Sequence, residues 1–413
     1  MPLSRRRLLT SAGIGAAGIG LGAGGYLVGH NDADAAEPEG TERVAFDGEH
    51  QAGISTPVPN RLHFASFDLE TESRDELREM LEKWTVAARE MTEGKMIGDY
   101  AGNHTELAPP EDTGEAFELP ASNLTITFGF GPSIFDRPGL GLSSKRPTAL
   151  KPLPPLPGDE LIPLESDGDI CVQACADDPQ VVFHAIRNLA RIGRGTVTMR
   201  WSQLGFGRTS TTSREETTPR NLFGMKDGTA NIKAEDGEAM DKYVWVDDDR
   251  PAWMKGGSYL VTRRIRMVLE VWDRSALQDQ EETIGRSKYS GAPLGEENEF
   301  DPLPLEEKGL DGKPVIPANA HVRLASATEN SGVRILRRGY SFTDGVDQSL
   351  GELEAGLFFI AFQKDPEKQF VALQEKLGVH DALNEYIHHV GSALFAVPAG
   401  TKPGGYVAES LFS

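Results

Sequence analysis

The sequence predicts an α+β fold made of two similar units, each with helices packed against an antiparallel sheet. Two observations lead to this prediction. A pattern of strand, sharp turn and helix occurs twice, in residues 169–193 and again in residues 356–379. Further strand-like and helical runs surround both copies in a similar order, so the chain has the pattern of an internal duplication.

The turn in each copy of the pattern has a physical basis. Asp178 and Pro179 in the first copy match Asp365 and Pro366 in the second, and a phenylalanine follows each proline by four residues. An aspartate caps the free N–H groups at a helix start, and a proline fits the first helical position. Capped turns are common, so chance similarity is the alternative to duplication.

The remaining elements fill out two ferredoxin-like units, predicted at residues 60–222 and 223–413. Two Pro/Gly-rich stretches, 139–163 and 204–232, are predicted to be long loops. In the first unit a strand and a helix open the fold and a strand closes it, in residues 61–70, 73–91 and 196–207. In the second unit we predict strands in 258–272, 320–327, 333–342, 356–363 and 392–399, and a further helix in 275–288.

The N-terminal 36 residues have the three parts of a twin-arginine signal peptide. Arginines occupy positions 5–7, a Gly/Ala-rich apolar run follows, and Ala33 and Ala35 form a small-residue cleavage pattern. We therefore expect export in the folded state, to the periplasm, the cell surface or the medium; a membrane anchor is the alternative. Residues 37–59 are polar and aperiodic, which predicts a flexible linker.

The overall charge excludes one class of partner. The chain has 63 acidic and 42 basic residues, and its formal net charge is -21. Such a surface repels nucleic acid and anionic lipid, so we expect no nucleic-acid partner.

The two cysteines are predicted to be ordinary core residues. Cys171 and Cys175 are four residues apart in a predicted strand. Their side chains then share one face but lie about 13 Å apart, which is beyond disulfide reach. Two ligands are also too few to hold a zinc ion.

Three residues are candidates for chemistry. Asp227, in GMKDGTANI, is either a turn residue or a carboxylate that transfers protons. His321 opens an apolar segment that arginines follow, whereas His388 and His389 fall in a predicted helix. In RILRRGYSF, Arg337 and its neighbour point to opposite faces of a strand, so one of them needs an acidic partner unless the strand is a solvated edge.

Several motifs in order along the chain resemble the dye-decolorizing peroxidases, and most closely their exported deferrochelatase/peroxidase branch. The first, FGMKDGTANI, fits the family pattern G-x-x-D-G at Gly224, Asp227 and Gly228. The others are GGSYLVTRRIRM, IGRSKYSGAPLG, HVRLAS, ILRRGYSF and GLFFIAFQKDPEKQF. The resemblance extends from about residue 60 to the C-terminus, so it covers both predicted units.

The resemblance implies one haem b per chain, bound in the C-terminal half. It makes His321 the proximal ligand of the haem iron, and Asp227 and Arg337 the distal pair. Arg263 would bind a haem propionate, with Arg264 as a rival. The remaining residues implied to contact the haem are Gly228, Thr229, Ala230, Ser326, Ala327, Thr328 and Phe359.

The implied function is oxidation of dyes, phenols or other reductants by hydrogen peroxide through a ferryl intermediate. The alternative is an exported deferrochelatase, which releases iron from haem for uptake. That role implies an iron-uptake permease and a lipoprotein as partners. A homo-oligomer is a further expectation.

Overall fold

Two antiparallel four-stranded sheets form the framework of the protein. The computed structural model describes residues 42–98, 109–247 and 251–413. The predicted signal peptide and the start of the predicted linker lie outside the described residues. The strands are β1 (Arg61–Leu69), β2 (Thr125–Phe130), β3 (Ile170–Ala176), β4 (Val197–Arg208), β5 (Ser258–Met267), β6 (Leu336–Arg337), β7 (Tyr340–Asp347), β8 (Glu352–Gln363) and β9 (Ile387–Val397).

The two sheets have the same topology. The first has the strand order β4-β1-β3-β2. The second has the order β9-β5-β8-β7, in which each strand takes the place of its counterpart in the first. In each sheet the first strand of the unit lies in the centre beside the third, as in a ferredoxin-like fold. The predicted α+β fold with two ferredoxin-like units is therefore confirmed.

The sheets are joined at both edges. Phe130 of β2 pairs with Ala396 of β9, and Phe206 of β4 pairs with Ser341 of β7. Eight strands thus close into a ring with an apolar interior that both units supply, which includes Leu62, Phe64, Leu260, Tyr340, Phe358 and Phe395. Because the two halves share this core, they form one compact unit; the predicted boundary at residues 222 and 223 stays a prediction.

Helices connect the strands, and the first two of them pack against the outer face of the first sheet. The helices are α1 (Arg74–Thr92), α2 (Pro179–Ile192), α3 (Gly237–Tyr243), α4 (Leu269–Trp272), α5 (Leu277–Ile284), α6 (His321–Leu324) and α7 (Ala372–His380). A π-helical turn, Glu367–Val371, leads into α7. None of the helices within the described residues is long and apolar enough to cross a membrane.

The repeated Asp-Pro turn has the predicted structure. Asp178 accepts hydrogen bonds from the N–H groups of Gln180 and Val181 at the start of α2. In the second copy, Asp365 accepts one from the N–H of Lys368, at 3.3 Å. The first turn therefore caps α2, and the second precedes the π-helical turn that leads into α7.

The predicted linker is wrong for its second half. Within residues 46–58, Ile54 and Val58 are buried in the ring core. The side-chain amide of Gln51 donates a hydrogen bond to a carbonyl oxygen of β2 at 3.1 Å. Isolated apolar residues and backbone hydrogen bonds hold this segment, so it has no helical or strand period for the sequence to show.

Two local predictions are also wrong. Residues 320–327 were predicted as a strand, but His321 begins the single helical turn α6. His388 and His389 were predicted in a helix, but they lie in β9, which pairs with β5. Both runs are short and their polar residues alternate irregularly, so tertiary pairing decides their structure. The strand predicted in residues 258–272 is also too long, because β5 ends at Met267 and Leu269–Trp272 form α4.

The cysteines and the arginine strand agree with expectation. Cys171 and Cys175 are buried in β3 and unpaired. β6 and β7 follow one edge of β8 and are interrupted at Arg338 and Gly339. Arg337 therefore lies beside the break, and its neighbour points to the opposite face.

Candidate active site

A cavity of about 550 Å³ lies between the outer face of the second sheet and the segments that carry α6 and α7. Its volume is within the range of about 300–1,000 Å³ that is typical of cofactor sites. Much of its lining is apolar and includes Met225, Ile265, Met267, Leu357, Leu373 and Leu377.

The fold brings all the predicted site residues together. They come from loops, α6, a 3-10 turn and three strands, and every one of them lines this cavity. They are Asp227, Gly228, Thr229, Ala230, Arg263, His321, Ser326, Ala327, Thr328, Arg337 and Phe359. The structure thus places them at one site, and their individual roles stay predictions.

His321 is held by a buried carboxylate. Its side chain lines the cavity and is 32% exposed, whereas that of Asp381 is 3% exposed. Nδ1 of His321 donates a hydrogen bond to Oδ2 of Asp381 at 2.6 Å. Within the described residues Nε2 has no hydrogen-bond partner, so this nitrogen is free to bind a metal of a cofactor.

Two opposing effects set the basicity of His321. Burial by itself lowers the pKa of the imidazole, but the charge of Asp381 and its hydrogen bond outweigh burial and raise the pKa. A carboxylate in this position also fixes the ring orientation and increases electron donation from the other nitrogen.

A second polar group in the cavity is the pair of Asp227 and Arg337. Nη1 of Arg337 donates a hydrogen bond to Oδ1 of Asp227 at 2.6 Å. Nδ2 of Asn221 donates to the other carboxylate oxygen at 3.2 Å. Arg337 lowers the pKa of His321 and Asp227 raises it, so the pair lies within electrostatic reach of the imidazole.

The loop that carries Asp227 requires its glycine. Gly228 has a φ of +92°, which residues with a Cβ rarely adopt. A Cβ at this position would also lie 2.9 Å from Cα of Ser210, which is backbone and has no room to move. The missing side chain thus lets the Asp227 loop pack directly against the chain that follows β4.

Arg263 and Arg264, which are adjacent in β5, face opposite sides of the sheet. Arg263 lines the cavity, is 1% exposed and forms an ion pair with Asp159. Arg264 lies on the other face, where it pairs with Asp344 and Glu354 at 2.9 and 2.8 Å. Of the two, only Arg263 is in a position to reach a cofactor in the cavity, and its charge is already compensated.

Sequence reasoning missed several polar residues of the cavity, among them Asp381 and Arg334. Asp381 precedes a short 3-10 helix and accepts a hydrogen bond from the N–H of Leu383, so in the sequence it has the pattern of an ordinary cap. Arg334 lines the cavity and forms no ion pair among the described residues. Arg334 lies two residues before β6. It is the first residue of RILRRGYSF, the stretch in which Arg337 and its neighbour were candidates, and this position was the available signal.

Comparison with known proteins follows the same division into two halves. Residues 51–207 match the family description Dyp-type peroxidase, N-terminal, and residues 218–402 match Dyp-type peroxidase, C-terminal. The chain belongs to the Dyp-type peroxidase family. The predictions of this family and of a haem-dependent peroxidase are therefore confirmed.

Relatives of this Dyp-type peroxidase match nearly its whole length. A dye-decolorizing peroxidase of Thermobifida fusca (strain YX) is 40% identical over 99% of this chain and 97% of its own. A deferrochelatase of Yersinia pestis is 36% identical over 99% of this chain and 94% of its own. The structure of ferric DtpA from Streptomyces lividans has a TM-score of 0.82 and 41% identity, and covers 91% of this chain and 98% of its own.

Proposed function

We propose that this Dyp-type peroxidase binds one haem b per chain in its C-terminal half, with Nε2 of His321 as the iron ligand. The observation that carries this proposal is the free Nε2 of His321, which Asp381 orients in the same cavity as Asp227 and Arg337. The volume and the apolar lining suit a flat apolar ring. DtpA from Streptomyces lividans is described in ferric and oxyferrous forms, which supports an iron cofactor.

Haem also has two carboxylate groups, which need cationic partners. We propose Arg334 as one partner, because it lines the cavity and forms no ion pair within the described part of the chain. Arg263 is the partner expected from the family resemblance. Its charge is already compensated by the ion pair with Asp159, so it forms part of the cavity wall on β5.

When bound, haem supplies the iron that takes up the oxidising equivalents of hydrogen peroxide. The protein's own residues handle the protons and the charge. Asp227 accepts a proton from hydrogen peroxide in the cavity and returns it to the oxygen that leaves as water. Arg337 stabilises negative charge on that oxygen and, through its hydrogen bond, holds the carboxylate in place.

The proximal side has a separate task. Asp381 keeps the proton on Nδ1 of His321, so that Nε2 stays available as a ligand. Through this hydrogen bond the imidazole would donate electron density more strongly to a bound iron.

Hydrogen peroxide and a reductant are the substrates of a peroxidase of this family. Dyes and phenols are the reductants that we propose. A homo-oligomeric state stays a prediction, which a size measurement in solution would test.

A second candidate function is release of iron from haem. It is favoured by the deferrochelatases of Yersinia pestis and Escherichia coli, which are 36% identical to this chain over nearly its full length. In that role the same cavity would bind haem as the substrate, and an iron-uptake permease and a lipoprotein would be the partners.

One incubation separates the two functions. The haem-loaded protein is mixed with hydrogen peroxide and a phenol, and then oxidised phenol, haem and iron-free protoporphyrin are measured by chromatography. We expect oxidised phenol and mostly intact haem, because His321 and the apolar cavity would retain the ring. Iron-free protoporphyrin in amounts equal to the protein would instead support deferrochelatase.

Free haem in solution is the main source of error in this experiment. The matched control is His321→Ala protein in the same mixture, since it lacks the proposed ligand. Phenol oxidation at the wild-type rate by this variant would assign the activity to haem outside the cavity.

We also propose that the protein acts outside the cytoplasm after export by the twin-arginine route. The positively charged arginines within residues 1–36 support this location. Cell fractionation with and without the arginines at positions 5 and 6 tests it; equal amounts of exported protein would contradict it.

A further inference from the structure

The backbone of Arg337 lies on an open edge. β6 pairs with β8 on one side, and the N–H of Arg338 continues this pairing with a bond to the carbonyl of Ile360 at 2.8 Å. On its other side, β6 has no neighbouring strand among the described residues. The N–H and C=O of Arg337 point to that open side, where backbone groups need partners.

The side chain of Asn231 supplies both partners. Its Oδ1 accepts the N–H of Arg337 at 2.8 Å, and its Nδ2 donates to the carbonyl oxygen of Arg337 at 2.8 Å. Nδ2 also donates to the carbonyl oxygen of Thr211 at 3.0 Å. Asn231 is 5% exposed, so these bonds are shielded from water. The amide therefore binds Arg337 as a neighbouring strand would.

The loop that carries Asn231 also binds the guanidinium end of Arg337. Asn231 follows Asp227 by four residues, and its N–H donates to the carbonyl oxygen of Gly228 at 2.9 Å, which closes the loop. Asp227 binds the guanidinium while Asn231 binds the backbone. Ser210 adds a second bond to the carbonyl oxygen of Arg337, at 2.9 Å.

We propose that Asn231 is a positioning residue of the active site, which acts through the backbone of Arg337 and sets where the guanidinium meets Asp227. This inference rests on the proposed roles of Asp227 and Arg337. An amide of this length is required because it offers an acceptor and two donors on one short side chain. An aspartate would place a second acceptor against the carbonyl of Arg337. An alanine would leave the N–H of Arg337 without its partner and would remove one donor each from the carbonyls of Arg337 and Thr211.

The test compares Asn231→Ala with Asn188→Ala. Asn188 is also buried and makes three hydrogen bonds, to Thr113 and to the carbonyl oxygen of His184, and it lies outside the cavity lining. Both variants should lose similar stability. The first measurement uses haem-free protein, in which we expect faster hydrogen exchange at the Arg337 amide for Asn231→Ala alone.

The second measurement uses the haem-loaded protein and hydrogen peroxide in stopped flow. Asn231→Ala should slow the reaction by about 10-fold to 100-fold, as displacement of a catalytic group by about 1 Å does. Asn188→Ala should react at the wild-type rate. The double variant Asn231→Ala/Arg337→Leu should be no slower than Arg337→Leu, because Asn231 acts through Arg337.

Each outcome decides one statement. Wild-type exchange and a wild-type rate for Asn231→Ala overturn the inference, and so does an additive loss in the double variant. A wild-type rate for Arg337→Leu itself contradicts the proposed function instead. If Asn231→Ala does not fold, Ser210→Ala removes one bond to Arg337 and should show smaller effects in the same directions; no change in either measurement overturns the inference.

Discussion

The His321→Ala protein is expected to lose the Soret absorption band that haem gives the wild-type protein. Nε2 of His321 is the proposed iron ligand, and no other residue of the cavity has been assigned that role. Loss of a residue that merely orients a metal ligand costs about 10-fold to 100-fold in affinity, so loss of the ligand should cost more than about 100-fold. Haem titration followed by absorbance measures the change.

A graded variant and a control sharpen this test. Asp381→Asn keeps the ligand but removes the charge that orients it, so its affinity for haem should fall by about 10-fold to 100-fold. His184→Ala breaks another buried pair of histidine and aspartate, joined by a 2.9 Å bond to Asp112, and should bind haem as the wild type does. A wild-type spectrum for His321→Ala would refute the ligand assignment.

Asp227→Asn and Arg337→Leu are expected to bind haem but to react slowly with hydrogen peroxide. Loss of a proton-transfer group typically costs about 100-fold to 10,000-fold in rate. Loss of a group that stabilises charge costs about 100-fold to 1,000-fold. Stopped-flow absorbance measures both rates, and the losses should not add in the double variant because the two side chains act as one hydrogen-bonded pair.

Asp47→Asn is the matched control for this pair. Asp47 accepts hydrogen bonds from Arg89 at 2.7 to 3.1 Å, away from the cavity lining. The charge and hydrogen bonds of Arg89 hold the pKa of Asp47 below its usual value against burial. The variant should therefore lose stability and keep the peroxide rate. Wild-type rates for both distal variants would contradict the assignment of Asp227 and Arg337.

Much of the fold follows from the sequence because its signals are local. The Asp-Pro turns at Asp178 and Asp365 mark capped helices wherever they occur, and alternating apolar residues mark strands such as β8. Both signals occur twice in the chain, which is enough to predict the duplication. The closed ring of strands was not predicted, because the edges at Phe130 and Phe206 pair with residues far away in the sequence.

The site was predicted in a different way. His321, Asp227 and Arg337 were weak candidates by spacing alone, and the resemblance of several ordered motifs to one family made them specific. The structure then placed all of them in one cavity. It also showed that Arg263 is already paired with Asp159, which sequence position does not reveal.

By itself the sequence determined the duplicated α+β fold, the acidic surface and the residue types available for chemistry. Only the tertiary structure decided which groups support them: Asp381 behind His321, and Asn231 along the backbone of Arg337. Asp381 follows His321 by 60 residues and Asn231 precedes Arg337 by 106. Hydrogen bonds depend on distances of a few ångströms in space, and only the packing of the whole chain sets those distances.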